Sequence, residues 1–515
     1  LRAKGFRFSV YENKLLFLTL LITMLMSPVF YFLFNNYAPA NFTLGVGGKS
    51  GTYILRSVST VSRLKETGGN PAAYDTQIEA AKTFLSDQGY DPKVIGEGEL
   101  SSLVNTDTLF VIDAIALEDS AVESIKRFVD EGGALVFNHY SAFSRPDGSW
   151  RGDEMVRSLS GLSTDPYIHT LAKQSGIFAT PKVFSPLTTR IPNGPRLNVV
   201  FYDNIPLFRT PQTLKPDVVY TDWTQYDAPR IDGVHLPKEF AGAMWHGFYG
   251  KGSWVYFTFP FYVFSSSGDA PLFKNLFEGI VRYSAEGGAV RVHPYLNGKN
   301  PVFVSEDTEF RFENARAFSD AVRELQVPST AFCVSMLAER HKEVSAELGK
   351  NPYIEIGSHS HTHGDLLGGG EEGLAMETAG SKKRLSSLVQ ADVTGFRPPR
   401  EEIDDAVAKK LVETGYEYTM EKNKGHLYPS IIRKNLVVIS RVGTDDFGFM
   451  THYTFNEAEI VEKARREASF INDLDGIYTL SVHTHLFSDP QNIGVVRSIL
   501  EKLRNREDFI KGFHS

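Results

Sequence analysis

Apolar and polar positions divide the chain into three stretches of different pattern. The first is Leu15 to Phe34, LLFLTLLITMLMSPVFYFLF, 20 residues without a charge. At the helical rise this run would be about 30 Å long, enough to cross the hydrocarbon core of a bilayer. From Thr43 to Gly288 the pattern alternates between strand and helix. TLFVIDA (Thr108 to Ala114) is short, apolar and β-branched. SAVESIKRFVDEGG then places apolar residues at helical spacing and stops at Gly132-Gly133, and ALVFNHY is the next strand. Farther on, GSWVYFTFPFYVF (Gly252 to Phe264) reads as an aromatic strand and PLFKNLFEGIVRYSAEGG (Pro271 to Gly288) as a closing helix. Strand, helix, strand in this order predicts a parallel α/β sheet. Asn297-Gly298-Lys299-Asn300 is the expected linker into the third stretch.

In that third stretch the predicted strands end on reactive side chains. PVFVSEDTEF (Pro301 to Phe310) runs into Glu306, Asp307 and Glu309; VPSTAFCV (Val327 to Val334) is a second strand. NPYIEIGSHSHTHGD ends a third on three histidines at alternate positions, GFRPPREE (Gly395 to Glu402) ends a fourth on Arg397 before a proline pair, and TLSVHTH ends another on His483 and His485. The C-terminal ends of parallel strands are where α/β folds place their sites.

Composition narrows the chemistry. A length of 515 residues, at roughly 150 per domain, predicts two or three domains. Hydrophobic content of 42% and charged content of 23% are those of a globular protein. A net charge of -8 without a block of Lys or Arg excludes an electrostatic nucleic-acid footprint. Cys333 is the only cysteine, which excludes a disulfide framework and a Cys-rich metal site. Arg2, Lys4, Arg7 and Lys14 precede the apolar run and only Glu12 opposes them, so the N-terminal tip should stay cytoplasmic and the rest be exported. An uncleaved anchor is preferred over a signal peptide cut near Ala38-Pro39-Ala40, because a removed apolar region is usually only ~7 to 15 residues long.

Two imidazoles and one carboxylate make a three-ligand facial set for a divalent cation, with positions open for water and substrate. In an extended loop His361 would point away from its two neighbours, leaving His359 and His363 as the pair if a turn joins them.

These motifs resemble the polysaccharide deacetylase family, carbohydrate esterase family 4, over approximately residues 299 to 505. The family's His-Ser/Thr-x-x-His motif stands as His359-Ser360-His361-Thr362-His363, its Arg-Pro-Pro as Arg397-Pro398-Pro399, and its late Leu-x-x-His as Leu480-Ser481-Val482-His483. The resemblance implies metal ligation by His359 and His363, a catalytic carboxylate held by Arg397, and His483 as general acid. Thr444-Asp445-Asp446-Phe447 lies where the family often carries an acid that tunes this network, which implicates Asp446. The family's Thr-Phe-Asp-Asp-Gly is replaced by Val304-Ser305-Glu306-Asp307-Thr308. In one register, the preferred one, Glu306 is the base and Asp307 a metal ligand. In the other, Asp307 is the base and Glu309 the ligand. Arg400-Glu401 stands where the family has an aromatic; that position mainly offers a backbone N–H as oxyanion donor, so the change bears on substrate choice.

The segment LFVIDAIALEDSAVESIKRFVDEGGALVF resembles the class I glutamine amidotransferase-like fold, particularly its non-catalytic relatives in carbohydrate enzymes. A glutaminase of that fold needs a thiolate, and residues 43 to 288 contain no Cys. His139 reads as a satisfied loop residue, and Trp245-His246-Gly247-Phe248-Tyr249 as core or as a surface for stacking on sugars, with core preferred.

The expectation is an α/β protein with a cytoplasmic tip and transmembrane anchor (1–42), a parallel-sheet amidotransferase-like domain that binds or scaffolds (43–295), and a distorted (β/α)-barrel deacetylase domain (296–515). It would sit in the inner membrane as a single-pass protein with its catalytic part on the periplasmic or extracytoplasmic side. Its cofactor would be a divalent metal, zinc first, with cobalt, nickel or manganese as alternatives. Its substrate would be an N-acetylated exopolysaccharide or cell-wall polymer, with polymer synthesis or export machinery as further partners. Two other readings are an allantoinase-like hydrolase of small amides and an inactive glycan-binding or assembly protein.

Overall fold

The structure is a computed structural model and describes residues 51–165, 170–171, 177–191, 194–200, 204–222, 227–231, 234–266, 268–286, 301–367, 370–422, 426–433, 436–452, 456–504 and 508–510. The apolar run Leu15 to Phe34 and the linker Asn297 to Asn300 lie outside these residues. Among the described residues no helix is long and apolar enough to cross a membrane.

The N-terminal half is built from β1 (Thr52–Leu55), α1 (Val58–Glu66), α2 (Pro71–Asp87), β2 (Pro92–Ile95), β3 (Thr108–Val111), α3 (Asp119–Asp130) and β4 (Ala134–Asn138). There follow β5 (Ile177–Pro181), β6 (Leu197–Asn198), β7 (Val218–Asp222), β8 (Gly242–Tyr249), β9 (Gly252–Phe257) and α4 (Ala270–Glu286). The sheet order is β2-β1-β3-β4-β9-β8-β7-β5-β6. Helix α3 buries Ala121, Val122, Ile125, Phe128 and Val129, the stripe expected of a 3.6-residue period. It stops where Gly132 turns at φ 125° and Gly133 leaves room for the Phe128 ring.

The expected all-parallel sheet is only half right. Strands β2, β1, β3, β4 and β9 run parallel, whereas β8, β7, β5 and β6 alternate antiparallel. A parallel neighbour needs a crossover of a dozen or more residues, and β8 is joined to β9 by Gly250-Lys251 alone, with Gly250 at φ 56°. The aromatic strand predicted through Phe264 ends at Phe257, ahead of Pro260, which lacks an N–H for the ladder. Trp245 is core: it is fully buried and stacks on Tyr256 at 6.2 Å. His139 Nε2 donates to the Asn204 carbonyl at 2.8 Å. At the end of β1, the N-terminus of α1 is filled from within the chain: Glu97 accepts from Ser57 Oγ at 2.7 Å and from Ser59 N at 3.1 Å.

The C-terminal half comprises β10 (Pro301–Thr308), α5 (Ala315–Leu325), β11 (Ser329–Cys333), β12 (Ile354–Ser358), α6 (Ser381–Val389), β13 (Gly395–Phe396), α7 (Asp405–Thr414) and β14 (Tyr418–Glu421). It continues with β15 (Ser430–Arg433), β16 (Leu436–Ser440), α8 (Glu457–Asp473), β17 (Tyr478–His483), α9 (Pro490–Arg504) and β18 (Asp508–Ile510). The order is β15-β16-β14-β13-β12-β11-β10-β17, with β18 beside the start of β10. All pairs are parallel except β15 with β16. Every residue of β10 is buried, as a strand covered on both faces requires. The sheet curls strongly: the Phe303 and Tyr418 rings, on β10 and β14 with three strands between them, are 6.5 Å apart. The distorted barrel expected takes the form of a half-barrel, because no pairing among the described residues joins β15 or β16 to β17.

The described residues within 45–290 and 300–515 form one compact unit. Within it, Val183 N donates to the Leu474 carbonyl at 3.0 Å, Lys182 pairs with Asp475 at 3.2 Å, and Arg466 reaches Asp227 at 3.2 Å.

Gly279 tests this packing. A Cβ there would lie 1.9 Å from the Leu187 carbonyl oxygen, which is backbone and cannot swing aside. Gly279→Ala should gain about 1 kcal/mol of helix propensity and lose more to overpacking, for a net loss of about 1–2 kcal/mol. Chemical unfolding midpoints check the sign; a stabilised variant would contradict the packing.

Candidate active site

Side chains along β10 alternate between faces, and that alternation sorts its acids. Ser305, Asp307 and, just past the strand, Glu309 share the concave face with Phe303. Glu306 and Thr308 point the other way, where Thr308 Oγ1 donates to Glu306 Oε2 at 2.9 Å. Glu306 is 0% exposed, and burial pushes its carboxyl well above the ordinary range, with Thr308 opposing only in part.

Arg397 leaves the end of β13 and enters the concave side almost without exposure to water. Its Nη1 donates to Ser305 Oγ at 3.0 Å and Ser481 Oγ at 3.2 Å, and lies 3.1 Å from Asp307 Oδ1. Its Nη2 donates to Glu401, which also accepts from Arg441 Nε at 2.8 Å. Burial works against both Arg397 and Glu401, yet Asp307 and then Glu401 hold the guanidinium above its usual pKa, and Arg397 with Arg441 holds the Glu401 carboxyl below its own.

The histidine segment follows β12. Ser360 and His363 take φ of 67° and 64°, and the turn between them brings His359 and His363 to a ring distance of 4.9 Å. His361 turns off to Ser335, 2.8 Å from its Nδ1. Glu377 fixes the turn by accepting from His361 N at 2.8 Å, Thr362 N at 2.9 Å and Thr362 Oγ1. It projects from a single π-helical turn, Met376–Gly380, a local widening often found beside sites. His359 Nδ1 donates to the Arg397 carbonyl at 2.7 Å, leaving Nε2 as a free donor atom aimed into the cleft.

Glu309 Oε2 lies 2.7 Å from His363 Nε2 and 3.7 Å from His359 Nε2, and its Oε1 lies 3.2 Å from His485 Nδ1. Burial opposes ionisation of Glu309, but the neighbouring His359 and His363 imidazoles hold it well below the ordinary carboxylate range. Glu309, His359 and His363 each offer one ligand atom, all within 4.8 Å of one another, and so form a candidate metal site. Two neutral-capable imidazoles and a carboxylate suit a divalent first-row cation, and the tautomer imposed on His359 is the one ligation needs.

Asp307 sits between this cluster and His483. Its Oδ2 is 3.9 Å from His359 Nε2 and 3.5 Å from His483 Nε2. His483 is oriented by Asp446, whose Oδ1 accepts from Nδ1 at 2.7 Å and whose Oδ2 accepts from the His483 N–H at 2.6 Å. Burial alone would depress the imidazole; the Asp446 carboxylate outweighs it and raises His483 to about 9. Asp307, Glu309, His359, His363, Arg397 and His483 line one cleft of about 400 Å³, whose mouth carries Arg400, Glu402 and Lys422.

The structure therefore brings Asp307, Glu309, His359, His363, Arg397, His483 and Asp446 together and leaves Glu306 behind the strand. Sequence reasoning missed Glu377 and the pairing of Glu401 with Arg397. Glu401 stood in plain sight four residues after Arg397; Glu377 had no signal, since its role depends on a π-helical turn.

The class these features define is a curled α/β half-barrel with a two-histidine, one-carboxylate cluster at its strand ends. Residues 306–419 match the family model for polysaccharide deacetylase, which supports a deacetylase function. Among solved structures, a putative polysaccharide deacetylase from Mycobacterium smegmatis aligns at 20% identity over 43% of this chain and 89% of its own, with a TM-score of 0.37. A probable polysaccharide deacetylase from Pseudomonas aeruginosa PAO1 aligns at 15% over 44% and 92%, TM-score 0.38. A family 4 carbohydrate esterase from Streptomyces lividans, in complex with acetate, aligns at 14% over 42% and 92%, TM-score 0.30. No curated protein matches the chain.

The His483 pair carries a pH signature. Its folded pKa of about 9 exceeds the ordinary 6.5, so its stabilising effect is full below about 6.5 and is lost as pH rises through about 9. Asp446→Asn should return the imidazole toward 6.5 and flatten the fall in Tm across that window. NMR titration of His483 with Tm measured at each pH checks both; an unmoved titration would contradict the pairing.

Proposed function

We propose that the chain is a metal-dependent deacetylase that removes acetyl groups from N-acetylated sugars of an exopolysaccharide or cell-wall polymer. The observation that carries this reading is the position of Asp307, with Arg397 at 3.1 Å, the Glu309–His359–His363 cluster on one flank and His483 at 3.5 Å on the other.

Glu309, His359 and His363 would hold the cation, zinc by preference with cobalt, nickel or manganese as alternatives, and when bound it would polarise the acetyl carbonyl and acidify water. Asp307 serves as general base, taking a proton from the attacking water; Arg397, 3.1 Å away, keeps it aimed. His483, protonated at neutral pH beside Asp446, donates its Nε2 proton to the leaving nitrogen. The backbone at Arg400, with φ 59° after the proline pair, borders the cleft as a candidate oxyanion donor. Glu306 has no part in the chemistry. The reading keeps export, with Leu15 to Phe34 as a membrane anchor and the N-terminal half as a scaffold or glycan-binding module without glutaminase activity.

Three single variants test the roles. Glu306→Gln should leave acetate release and bound metal near wild type. Asp307→Asn should keep the metal and lower turnover by a factor on the order of 10² to 10⁴, the usual worth of a general base. Glu309→Gln should lose metal first and activity with it. Acetate assays on N-acetylated glycans with metal analysis decide the matter, and wild-type activity in Asp307→Asn would reject the proposal.

Topology is tested separately. A fusion reporter placed after residue 45 should be active only outside the cytoplasm, since the basic residues precede the apolar run. Cytoplasmic activity would remove the secreted-polymer substrate.

A further inference from the structure

Helix α8 carries a buried ion pair that the chemistry above does not use. Glu467 is 0% exposed and Lys463 is 3% exposed, and Lys463 Nζ donates to Glu467 Oε1 at 2.9 Å. The carboxylate takes two more donors from a single residue of another segment: Thr444 N at 2.9 Å on Oε2 and Thr444 Oγ1 at 2.8 Å on Oε1.

Thr444 opens a three-residue stretch in which each side chain is gripped by a different element. Glu467 of α8 holds Thr444, Arg441 Nη1 donates to Asp445 Oδ2 at 2.6 Å, and Asp446 receives both the Nδ1–H and the backbone N–H of His483. Asp445 also accepts from Gly448 N at 2.8 Å, closing the turn behind it. The stretch starts beside a strand: Val442 N donates to Thr479 Oγ1 of β17 at 2.6 Å. With Val442 tied at one end and Thr444 clamped by Glu467, the main chain reaching Asp446 has little freedom left.

A buried ion pair is a poor device for stability alone, because desolvating two charges consumes much of what their attraction returns, and apolar residues of similar volume often do better. What the carboxylate supplies here is direction: a bidentate grip on one backbone N–H and one hydroxyl fixes the orientation of a loop.

We propose that Glu467, paired with Lys463, is a positioning residue that sets the Asp446–His483 hydrogen bond from outside the cleft. The inference rests on His483 being the general acid of the proposed deacetylase. Glu467→Gln keeps the shape of the side chain but replaces one of its two acceptor oxygens by an NH₂, so the two-point grip on Thr444 is broken and Asp446 gains room to drift from Nδ1.

The test is a double-mutant cycle with Asp446→Asn, read in kcat, KM and bound metal. Glu467→Gln should lower kcat on the order of tenfold, with KM and metal content unchanged, and should cost almost nothing further in the Asp446→Asn background. An equal loss in both backgrounds would mark Glu467 as a general structural residue and overturn the proposal, as would an unchanged kcat. Glu467→Asp, which keeps the charge, should recover part of the loss. Where Glu467→Gln fails to fold, the paired replacement Lys463→Met with Glu467→Gln removes the ammonium together with the carboxylate and takes its place in the cycle. A second readout needs no turnover: the His483 Nδ1 proton, slow to exchange in the wild type, should exchange faster in the Glu467 variant. If the wild type releases no acetate, the deacetylase reading fails while faster exchange still upholds the positioning role. If acetate is released and the exchange rate does not change, the positioning role fails alone.

Discussion

One buried guanidinium organises the reactive end of the half-barrel. Arg397 is 1% exposed, and taking such a charge from water costs several kcal/mol unless its donors are matched. The two Nη atoms are matched by Asp307, Glu401, Ser305 and Ser481, which come from three separate segments of chain, while the buried Nε has no hydrogen-bond partner. A lysine could not do this, because its ammonium is a point donor, whereas the planar fork addresses several directions at fixed angles. The same residue acts again through its main chain, since its carbonyl accepts from His359 Nδ1. Side chain and backbone of Arg397 thus set the proposed base and one candidate metal ligand against each other, and neither can shift without the other responding.

From Arg397 the constraint spreads outward through shared carboxylates. Glu401 receives both Arg397 and Arg441, and Arg441 passes on to Asp445, the neighbour of Asp446. Alternating charge of this kind is self-consistent in a low-dielectric interior only when every member is paired. It explains why an arginine and a glutamate follow the proline pair at 400 and 401: Glu401 serves the network inward, while Arg400 at φ 59° faces the mouth of the cleft and pairs with Asp365 at 3.2 Å.

Most of the strand ends were legible in the sequence because parallel strands buried on both faces are continuous apolar runs, and the polar residues that interrupt them stand out. The period-2 alternation of β10 was equally legible, and it ties Asp307 to Glu309 rather than to Glu306. The family pattern of adjacent acids pulled the preferred register toward Glu306, although a residue one step along a strand must face the opposite side. What the letters could not carry was the part that depends on distant pairing. The antiparallel turn of the N-terminal sheet hinged on Gly250-Lys251 being too short for a crossover, a clue available but overlooked. The openness of the half-barrel depends on strands far apart in sequence, and the roles of Glu377 and Glu467 arise from segments 15 to 23 residues away; none leaves a local periodicity.

The histidine turn shows why such distant partners are needed. Ser360 and His363 both sit at positive φ, where a side chain with a Cβ costs of order 1 kcal/mol or more, and neither is the glycine that would relieve it. Ser360 recovers part of this by accepting from His363 N at 3.0 Å, but a hydroxyl alone does not hold the two peptide groups between them. Glu377 does, by taking the N–H groups of His361 and Thr362 on one oxygen and the Thr362 hydroxyl on the other. Its carboxyl is kept below its usual pKa by those bonds against the opposing effect of burial. The strain is therefore stabilised by a charge-assisted acceptor that lies outside the motif, and the convergence of His359 and His363 on Glu309 follows from a helix that never reaches the cleft.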